Sequence, residues 1–128
     1  MAIRIVRLGS RRAAGEGLRL GTVRRPPRGV PKSKFASGNW YDLWFPVLAP
    51  SFATLKLGRS VDSEAGWRRF ARHYRAEMRR AEARQALDLL AALSHRTSLA
   101  VGCYCEDESR CHRSLLRELL VARGARVR

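Results

Sequence analysis

The chain has 128 residues, which is enough for one domain with one hydrophobic core and leaves little for a second. Hydrophobic residues make up 45% of it and charged residues 29%, a balance typical of a globular protein rather than of a disordered or membrane-spanning one. Lysine and arginine number 26 against 11 acidic residues, so the formal net charge is +15. Such a surface attracts polyanions, of which nucleic acid is the usual one, although a genome rich in arginine codons would produce the same excess.

The three cysteines do not indicate a disulfide framework. They cannot all pair within one chain, and the first two are only one residue apart. Arginines interrupt the apolar residues near the N-terminus, so no signal-peptide core is expected, and no apolar run is long enough to span a membrane. We therefore expect a cytoplasmic protein with reduced thiols and no membrane partner.

The first third of the chain predicts two strands and a basic loop. Residues 2–8 alternate apolar and charged side chains as a strand with one wet face does, and residues 9–17 are rich in turn formers. A second strand is predicted over residues 18–23. Three prolines then exclude a helix from residues 24–34. Arg24, Arg25 and Arg28 in this proline loop are candidate ligands for phosphate, and the alternative is a solvated connection.

Residues 35–52 form the most aromatic stretch, with Trp40, Tyr41, Trp44 and Phe45. We expect these rings to belong to the core or to a lid packed on it. Aromatic side chains beside a basic loop also stack on nucleic-acid bases, but stacking requires exposure, which a sequence does not show.

Two helices are predicted next. Ser63 is a plausible cap for the first, and its apolar stripe consists of Trp67, Phe70, Tyr74 and Met78. Six arginines occupy much of the remaining surface: Arg68, Arg69, Arg72, Arg75, Arg79 and Arg80. This arginine face is a candidate for phosphate contact or for an acidic protein partner, and the alternative is simple solvation. A break near residues 80–82 precedes a second helix over residues 83–95, whose leucines should be largely buried.

The last quarter predicts a strand over residues 97–104 and a helix over residues 110–123. The order of elements is strand, strand, loop, helix, helix, strand, helix. That order predicts an α/β fold in which residues 1–128 form a single compact domain with a small, mostly parallel sheet flanked by helices.

The candidate site lies between this last strand and helix, where α/β proteins usually place chemistry. Cys111 is expected in the first helical turn after a cap at Asp107, Glu108 or Ser109. There the helix dipole lowers a thiol's pKa while the loop carboxylates raise it, so the sign of the shift stays open. The candidate catalytic residues supply thiols, groups that act as acid or base, and a clamp for an anion. The thiols are Cys105 and Cys111, the acid or base groups are Glu106 and His112, and the clamp is Arg113.

The same residues allow two other interpretations. Cys103, Cys105, Cys111 and His112 are four ligands, the number that tetrahedral zinc requires. Their spacing is shorter than in usual zinc sites, and adjacent side chains at a helix start are expected to diverge, so we assign no metal. Alternatively, helix-start amides, Arg113 and the arginines of the proline loop form a phosphate cradle that needs no covalent chemistry.

Nearly the whole chain resembles the bacterial family Domain of Unknown Function 488, also described as YeaO-like. The matching elements are residues 3–7, residues 25–29, Trp44 with residues 49–51, the Trp67-x-x-Phe70-x-x-x-Tyr74-x-x-Glu77 helix, and Cys105-Glu106 with Cys111-His112-Arg113. The proline loop departs from the YeaO-like pattern, because Arg24 and Pro26 replace an Asp and a Trp and one residue is missing. The cysteine-bearing elements resemble a different branch of the family. The resemblance implies a compact α/β fold in a small cytoplasmic bacterial protein and implies no reaction.

Our leading hypothesis is that this site binds a phosphate-containing ligand, either nucleic acid or a nucleotide, with hydrolytic or transfer chemistry as an extension. The alternatives are a zinc- or redox-responsive thiol module and a basic interaction domain without catalysis. Nothing in the sequence identifies a cofactor, an oligomeric state, or whether the protein is an enzyme.

Overall fold

The computed structural model describes residues 1–59 and 63–128. Its strands are β1 (Ile3–Arg7), β2 (Leu18–Gly21), β3 (Leu43–Trp44) and β4 (Leu99–Cys103). Its α-helices are α1 (Phe52–Arg59), α2 (Glu64–Glu77), α3 (Ala81–Leu93) and α4 (His112–Ala122), with short 3₁₀ turns at Lys32–Lys34, Pro46–Leu48 and Glu108–Arg110. The predicted α/β fold is confirmed.

The four strands form one parallel sheet in the order β1-β4-β2-β3. β4 lies at the centre, where Val101 pairs with Ile5 of β1 and with Leu20 of β2. All five residues of β4 are buried, because helices cover a parallel sheet and its inner strands meet no water. The continuous apolar run that predicted this strand has the same cause.

The helices bury the predicted apolar stripes against the sheet. Phe70 and Tyr74 of α2 are buried, as is Met78 directly after the helix. The predicted cap of α2 is confirmed, since the Ser63 hydroxyl accepts a hydrogen bond from the amide of Gly66 at 3.1 Å. The core also contains residues of α3 and α4: Leu87, Leu90, Leu116 and Leu120. One prediction is wrong: Leu89 of α3 is 56% exposed, because the helix turns it away from the face that buries its neighbour Leu90.

Two elements are absent from the sequence-based prediction, and both depend on distant residues. β3 has only two residues, both exposed, so it carries no alternation, and it exists because Leu43 pairs with Leu20. α1 begins where the Glu77 carboxylate of α2 accepts hydrogen bonds from the amide of Ser51 at 2.9 Å and from the hydroxyl of Thr54 at 2.9 Å. That carboxylate caps the first turn from another helix, a contact that no local pattern predicts.

Within the described residues, none of the helices combines the length and the apolar character that crossing a lipid bilayer requires.

Candidate functional site

A cleft of about 610 Å³ lies at the carboxyl edge of the sheet. It is formed by the segments that follow three parallel strands: residues 7–10 after β1, residues 25–28 after β2 and residue 104 after β4. The residues that line it are Arg7, Leu8, Gly9, Ser10, Arg25, Pro26, Pro27, Arg28, Trp40 and Tyr104. Ligands of α/β proteins bind at this edge, because loops from several parallel strands converge there.

The structure separates the three arginines of the proline loop. Arg25 and Arg28 are exposed and line the cleft. The Arg24 guanidinium instead donates hydrogen bonds to three main-chain carbonyls of residues 46–50, at 3.1–3.2 Å. Arg24 therefore holds the segment before α1, while the Arg25 guanidinium lies 4.9 Å from the centre of the Phe52 ring at the end of that segment.

Arg7, which was not among the candidate site residues predicted from the sequence, is the third arginine of the cleft. Its guanidinium donates to the carbonyl of Tyr104 at 3.4 Å and forms an ion pair with Glu106 at 3.4 Å. Glu106 is 84% exposed at its side chain, so solvent screens this pair strongly. The pairing places Glu106 beside the cleft.

The far wall of the cleft consists of Trp40 packed edge-on against Tyr104, with ring centroids 6.1 Å apart. Gly9 permits this packing. Its φ is +91°, and a Cβ atom there would lie 2.9 Å from the Trp40 ring. The hydroxyl of Tyr104 donates to the carbonyl of Arg25 at 2.8 Å, which ties the wall to the proline loop.

A buried ion pair supports this wall from behind. Arg19 of β2 is fully buried, and its guanidinium donates to Glu16 at 2.8 Å and 3.0 Å and to the carbonyls of Ser10 and Asn39 at 2.9 Å and 2.7 Å. Burial raises the pKa of Glu16, but the hydrogen bonds from Arg19 and from the amide of Ala13 outweigh it and hold the pKa below its usual value. Sequence reasoning missed this pair, because two opposite charges three positions apart in a turn-rich segment are ordinary on a surface.

Below the cleft, the three thiols and His112 meet. The Sγ atoms of Cys103 and Cys105 are 3.8 Å apart, and Cys111 Sγ lies 3.7 Å from His112 Nδ1. Cys103, Cys111 and His112 each place a potential ligand atom within 4.8 Å of the other two. The expectation that the side chains of the adjacent Cys111 and His112 diverge is wrong.

The local backbone explains that outcome. Cys111 precedes α4 in an extended conformation, with φ −126° and ψ 153°, and is not in the first turn of the helix. The predicted cap Asp107 is present, but it accepts a hydrogen bond from the amide of Ser109 at 3.0 Å and so caps the Glu108–Arg110 turn, not α4. The divergence expected for two adjacent residues inside a helix therefore does not apply to Cys111 and His112.

His112 is buried, and its ring orientation is determined by Thr22. A carbonyl only accepts hydrogen bonds, so the 2.8 Å contact between Nε2 and the Thr22 carbonyl requires the proton on Nε2. The unprotonated Nδ1 then faces Cys111. Burial lowers the pKa of His112 to about 4, so the ring is neutral at physiological pH.

The thiols differ in exposure and in pKa. Hydrogen bonds with Cys105 and Cys111, together with burial, raise the pKa of Cys103. For Cys111, a hydrogen bond with Cys103 lowers the pKa, but contact with Cys105 and burial outweigh it and the pKa is raised. Hydrogen bonds from the two buried thiols lower the pKa of the exposed Cys105, and the charge of Arg113 assists. Cys105 therefore has the lowest pKa of the three thiols.

Arg113 lies underneath, 3% exposed, and donates one hydrogen bond to the carbonyl of Cys105. Its Nε is buried without a hydrogen-bond partner among the described residues. Of the five candidate catalytic residues, only Cys105 and Glu106 are exposed. Cys111, His112 and Arg113 are buried and do not line the cleft.

The fold and this arrangement belong to a known class of α/β domain. The family model DUF488-N3a, described as the active DUF488-N3 subclade, matches residues 3–124. The chain therefore belongs to the Domain of Unknown Function 488 family. No significant match is found among the curated proteins or among the solved structures.

Several of the residues that carry the family resemblance have a structural role. The Tyr74 hydroxyl donates to the carbonyl of Leu48 at 2.7 Å, and the Trp44 indole donates to the carbonyl of Val23 at 2.7 Å. With Glu77 at the start of α1, they hold the chain around residues 44–54 against α2 and β2. The thiol and arginine elements remain as the candidates for function.

Proposed function

We propose that the chain binds a phosphate-containing ligand, a nucleotide or a nucleic-acid strand, in the cleft at the carboxyl edge of the sheet. The observation that carries the proposal is that three arginines, Arg7, Arg25 and Arg28, line one cleft. No aspartate or glutamate lines it among the described residues, and Glu106 meets Arg7 only in an exposed pair. A phosphate can displace that carboxylate and pair with the guanidinium in two parallel hydrogen bonds.

The wall of the cleft favours a ligand that also has a planar apolar part. Trp40 and Tyr104 are partly buried and present ring surface beside the arginines. Aromatic rings next to guanidinium groups are the usual surroundings of an unpaired base and its phosphate. The volume of about 610 Å³ lies within the range of about 300–1,000 Å³ found for small-molecule pockets.

Net charge supports the proposal at longer range. A charge of +15 raises the local concentration of any polyanion around the protein and speeds its encounter with the cleft. The description of the subclade as active agrees with a chemical role for the site but names neither substrate nor reaction. The proposal is therefore one of binding. Cys105 and Glu106 are the exposed candidate catalytic residues, and they directly follow the cleft residue Tyr104 in the chain.

The test is fluorescence anisotropy with a labelled single-stranded oligonucleotide, measured over a range of salt concentrations, with inorganic phosphate and a nucleoside monophosphate as competitors. We expect the doubly substituted Arg7→Gln, Arg28→Gln protein to bind at least about tenfold more weakly. Its slope of log K against log salt should be shallower by about 0.7 for each phosphate that the variant no longer neutralises.

The matched control is the Arg72→Gln, Arg79→Gln protein, which removes two exposed charges of the arginine face, one on α2 and one in the turn directly after it. If binding occurs in the cleft, this protein keeps the wild-type slope. Equal weakening in both variants would assign binding to the overall charge, and weakening confined to the α2 variant would assign it to the arginine face. Either result would contradict the proposed function.

A further inference from the structure

We propose that Cys103, Cys105, Cys111 and His112 form a site for one tetrahedral Zn²⁺ ion beneath the cleft. The proposal rests on how closely the donor atoms already match the ion. Zinc holds cysteine sulfur at about 2.3 Å, so two sulfurs of a tetrahedral site lie about 3.8 Å apart. The Sγ atoms of Cys103 and Cys105 are 3.8 Å apart, and Cys111 Sγ lies 3.7 Å from His112 Nδ1.

Three of the donors already surround one point, and the fourth lies next to them. The donor atoms of Cys103, Cys111 and His112 all lie within 4.8 Å of one another, and Cys105 Sγ lies 3.8 Å from Cys103 Sγ. Two ligands come from the end of β4 and two from the start of α4. An ion there would therefore join the central strand to the helix that follows it.

The orientation of His112 is the one that metal-binding histidines adopt. Such a histidine donates its other ring N–H to a carboxylate or a main-chain carbonyl, which aims the free nitrogen at the ion. Here Nε2 donates to the carbonyl of Thr22 at 2.8 Å and Nδ1 faces the sulfurs. The imidazole is thus held in a metal-ready tautomer by a residue 90 positions away.

The buried charge of Arg113 gives a second, independent observation. Arg113 is 3% exposed and forms no ion pair with a carboxylate in the described part of the chain, and its Nε has no partner there. An unpaired buried cation is costly. Three thiolates and one Zn²⁺ carry one net negative charge, which would neutralise Arg113. The guanidinium already donates to the main chain of the ligand Cys105.

The surroundings exclude water from most of the site. Cys103 and Cys111 pack in a cluster with Leu8, Val23 and Tyr41, all of them buried. Only Cys105 is exposed among the four ligands, so metal can enter and leave from one side. Tyr104, which forms a wall of the cleft, lies in the chain between the two ligands Cys103 and Cys105, so a bound ion would stiffen that wall.

The experiment uses the reduced full chain, incubated anaerobically with Zn²⁺ alone or Co²⁺ alone and then freed of excess metal. We expect one zinc per chain by elemental analysis. We expect the Co²⁺ form to show the intense visible absorption of a tetrahedral ion together with sulfur-to-cobalt charge transfer. A ratio near zero, or the weak spectrum of an octahedral cobalt ion, would overturn the proposal.

Variants connect the ion to these ligands. Cys105→Ser changes an exposed side chain, so the fold is retained; it should remove about a third of the charge-transfer intensity and weaken zinc binding at least about tenfold. His112→Gln tests the buried ligand. His73→Gln, at an exposed position of α2, removes an imidazole without touching the cluster and should bind as the wild type does.

Two further outcomes refute the site. Unchanged cobalt spectra in both ligand variants would show that the ion binds elsewhere. A wild-type chain whose mass is lower by two hydrogens, and which binds no zinc after reduction, would show a thiol–disulfide pair in place of a metal site. None of these readouts depends on a ligand in the cleft, so the zinc site and the proposed function succeed or fail separately.

Discussion

Replacing Arg19 by Met should destabilise the protein more than any exchange on its charged surface. Arg19 is fully buried and makes four hydrogen bonds, two to Glu16 and one each to the carbonyls of Ser10 and Asn39. Methionine fills much of the same volume but leaves the Glu16 carboxylate, 3% exposed, without its counter-charge. Breaking a buried pair in this way costs about 3–5 kcal/mol.

That cost is a large fraction of the about 5–15 kcal/mol by which domains are usually stable. At roughly 4 °C per kcal/mol for a chain of this length, the melting temperature should fall by roughly 12–20 °C. The assay is urea denaturation followed by circular dichroism, with thermal denaturation alongside. The matched control is Arg75→Met, which breaks an exposed pair with Glu118 and should cost less than about 1 kcal/mol.

The damage in Arg19→Met should also appear at the cleft. Arg19 holds the main chain at Ser10, which lines the cleft, and at Asn39, which precedes the cleft residue Trp40. Tryptophan fluorescence should therefore change in Arg19→Met even where the variant is folded. A decrease in stability no larger than in Arg75→Met, with unchanged fluorescence, would refute the view that this buried pair supports the cleft.

Three other predictions concern stability. Burial raises the pKa values of Glu16 and Asp42, but their arginine partners outweigh it and hold both pKa values below the usual range. The contribution of these two carboxylates to the free energy of unfolding is therefore complete above about pH 5 and is lost as the pH falls below about 4. The urea midpoint should fall over that range, and a constant midpoint would contradict this. Gly17→Ala should destabilise the protein by at least about 2 kcal/mol more than Gly15→Ala. Both glycines have a positive φ, but of the two only Gly17 would place an added Cβ 2.0 Å from a main-chain oxygen. Equal destabilisation by the two substitutions would refute the clash. Ser63→Ala should cost about 1 kcal/mol in urea denaturation and Ser63→Asp almost nothing, whereas an equal cost in both would exclude capping.

The cleft and the thiol cluster give one site two distinct layers. The upper layer is basic and aromatic and is where we propose that a phosphate-bearing ligand binds. The lower layer contains sulfur and a neutral imidazole and is buried except at Cys105. Tyr104 belongs to both, since its ring lines the cleft and its neighbours on either side in the chain carry thiols. Metal occupancy below would thus affect the shape of the cleft above.

Local sequence patterns were sufficient for most of the architecture. The apolar run of β4, the stripe of α2 and the cap at Ser63 each depend on a few neighbouring residues, because strand and helix periodicities repeat within two to four positions. The location of the candidate site, between β4 and α4, followed from the rule that sites form where a strand meets a helix. These features needed no knowledge of contacts across the chain.

Tertiary structure alone decided the roles of individual side chains. Arg24, Arg25 and Arg28 are equivalent in sequence, yet one holds main-chain carbonyls and two line the cleft. Cys111 and His112 face the same side only because Cys111 is extended, and the imidazole is oriented by the distant Thr22. The direction in which a side chain points, its burial and its hydrogen-bond partner depend on residues that are far apart in the chain and adjacent in space. Local spacing therefore specified where in the chain the candidate site lies, and the packed fold specified how its side chains are arranged.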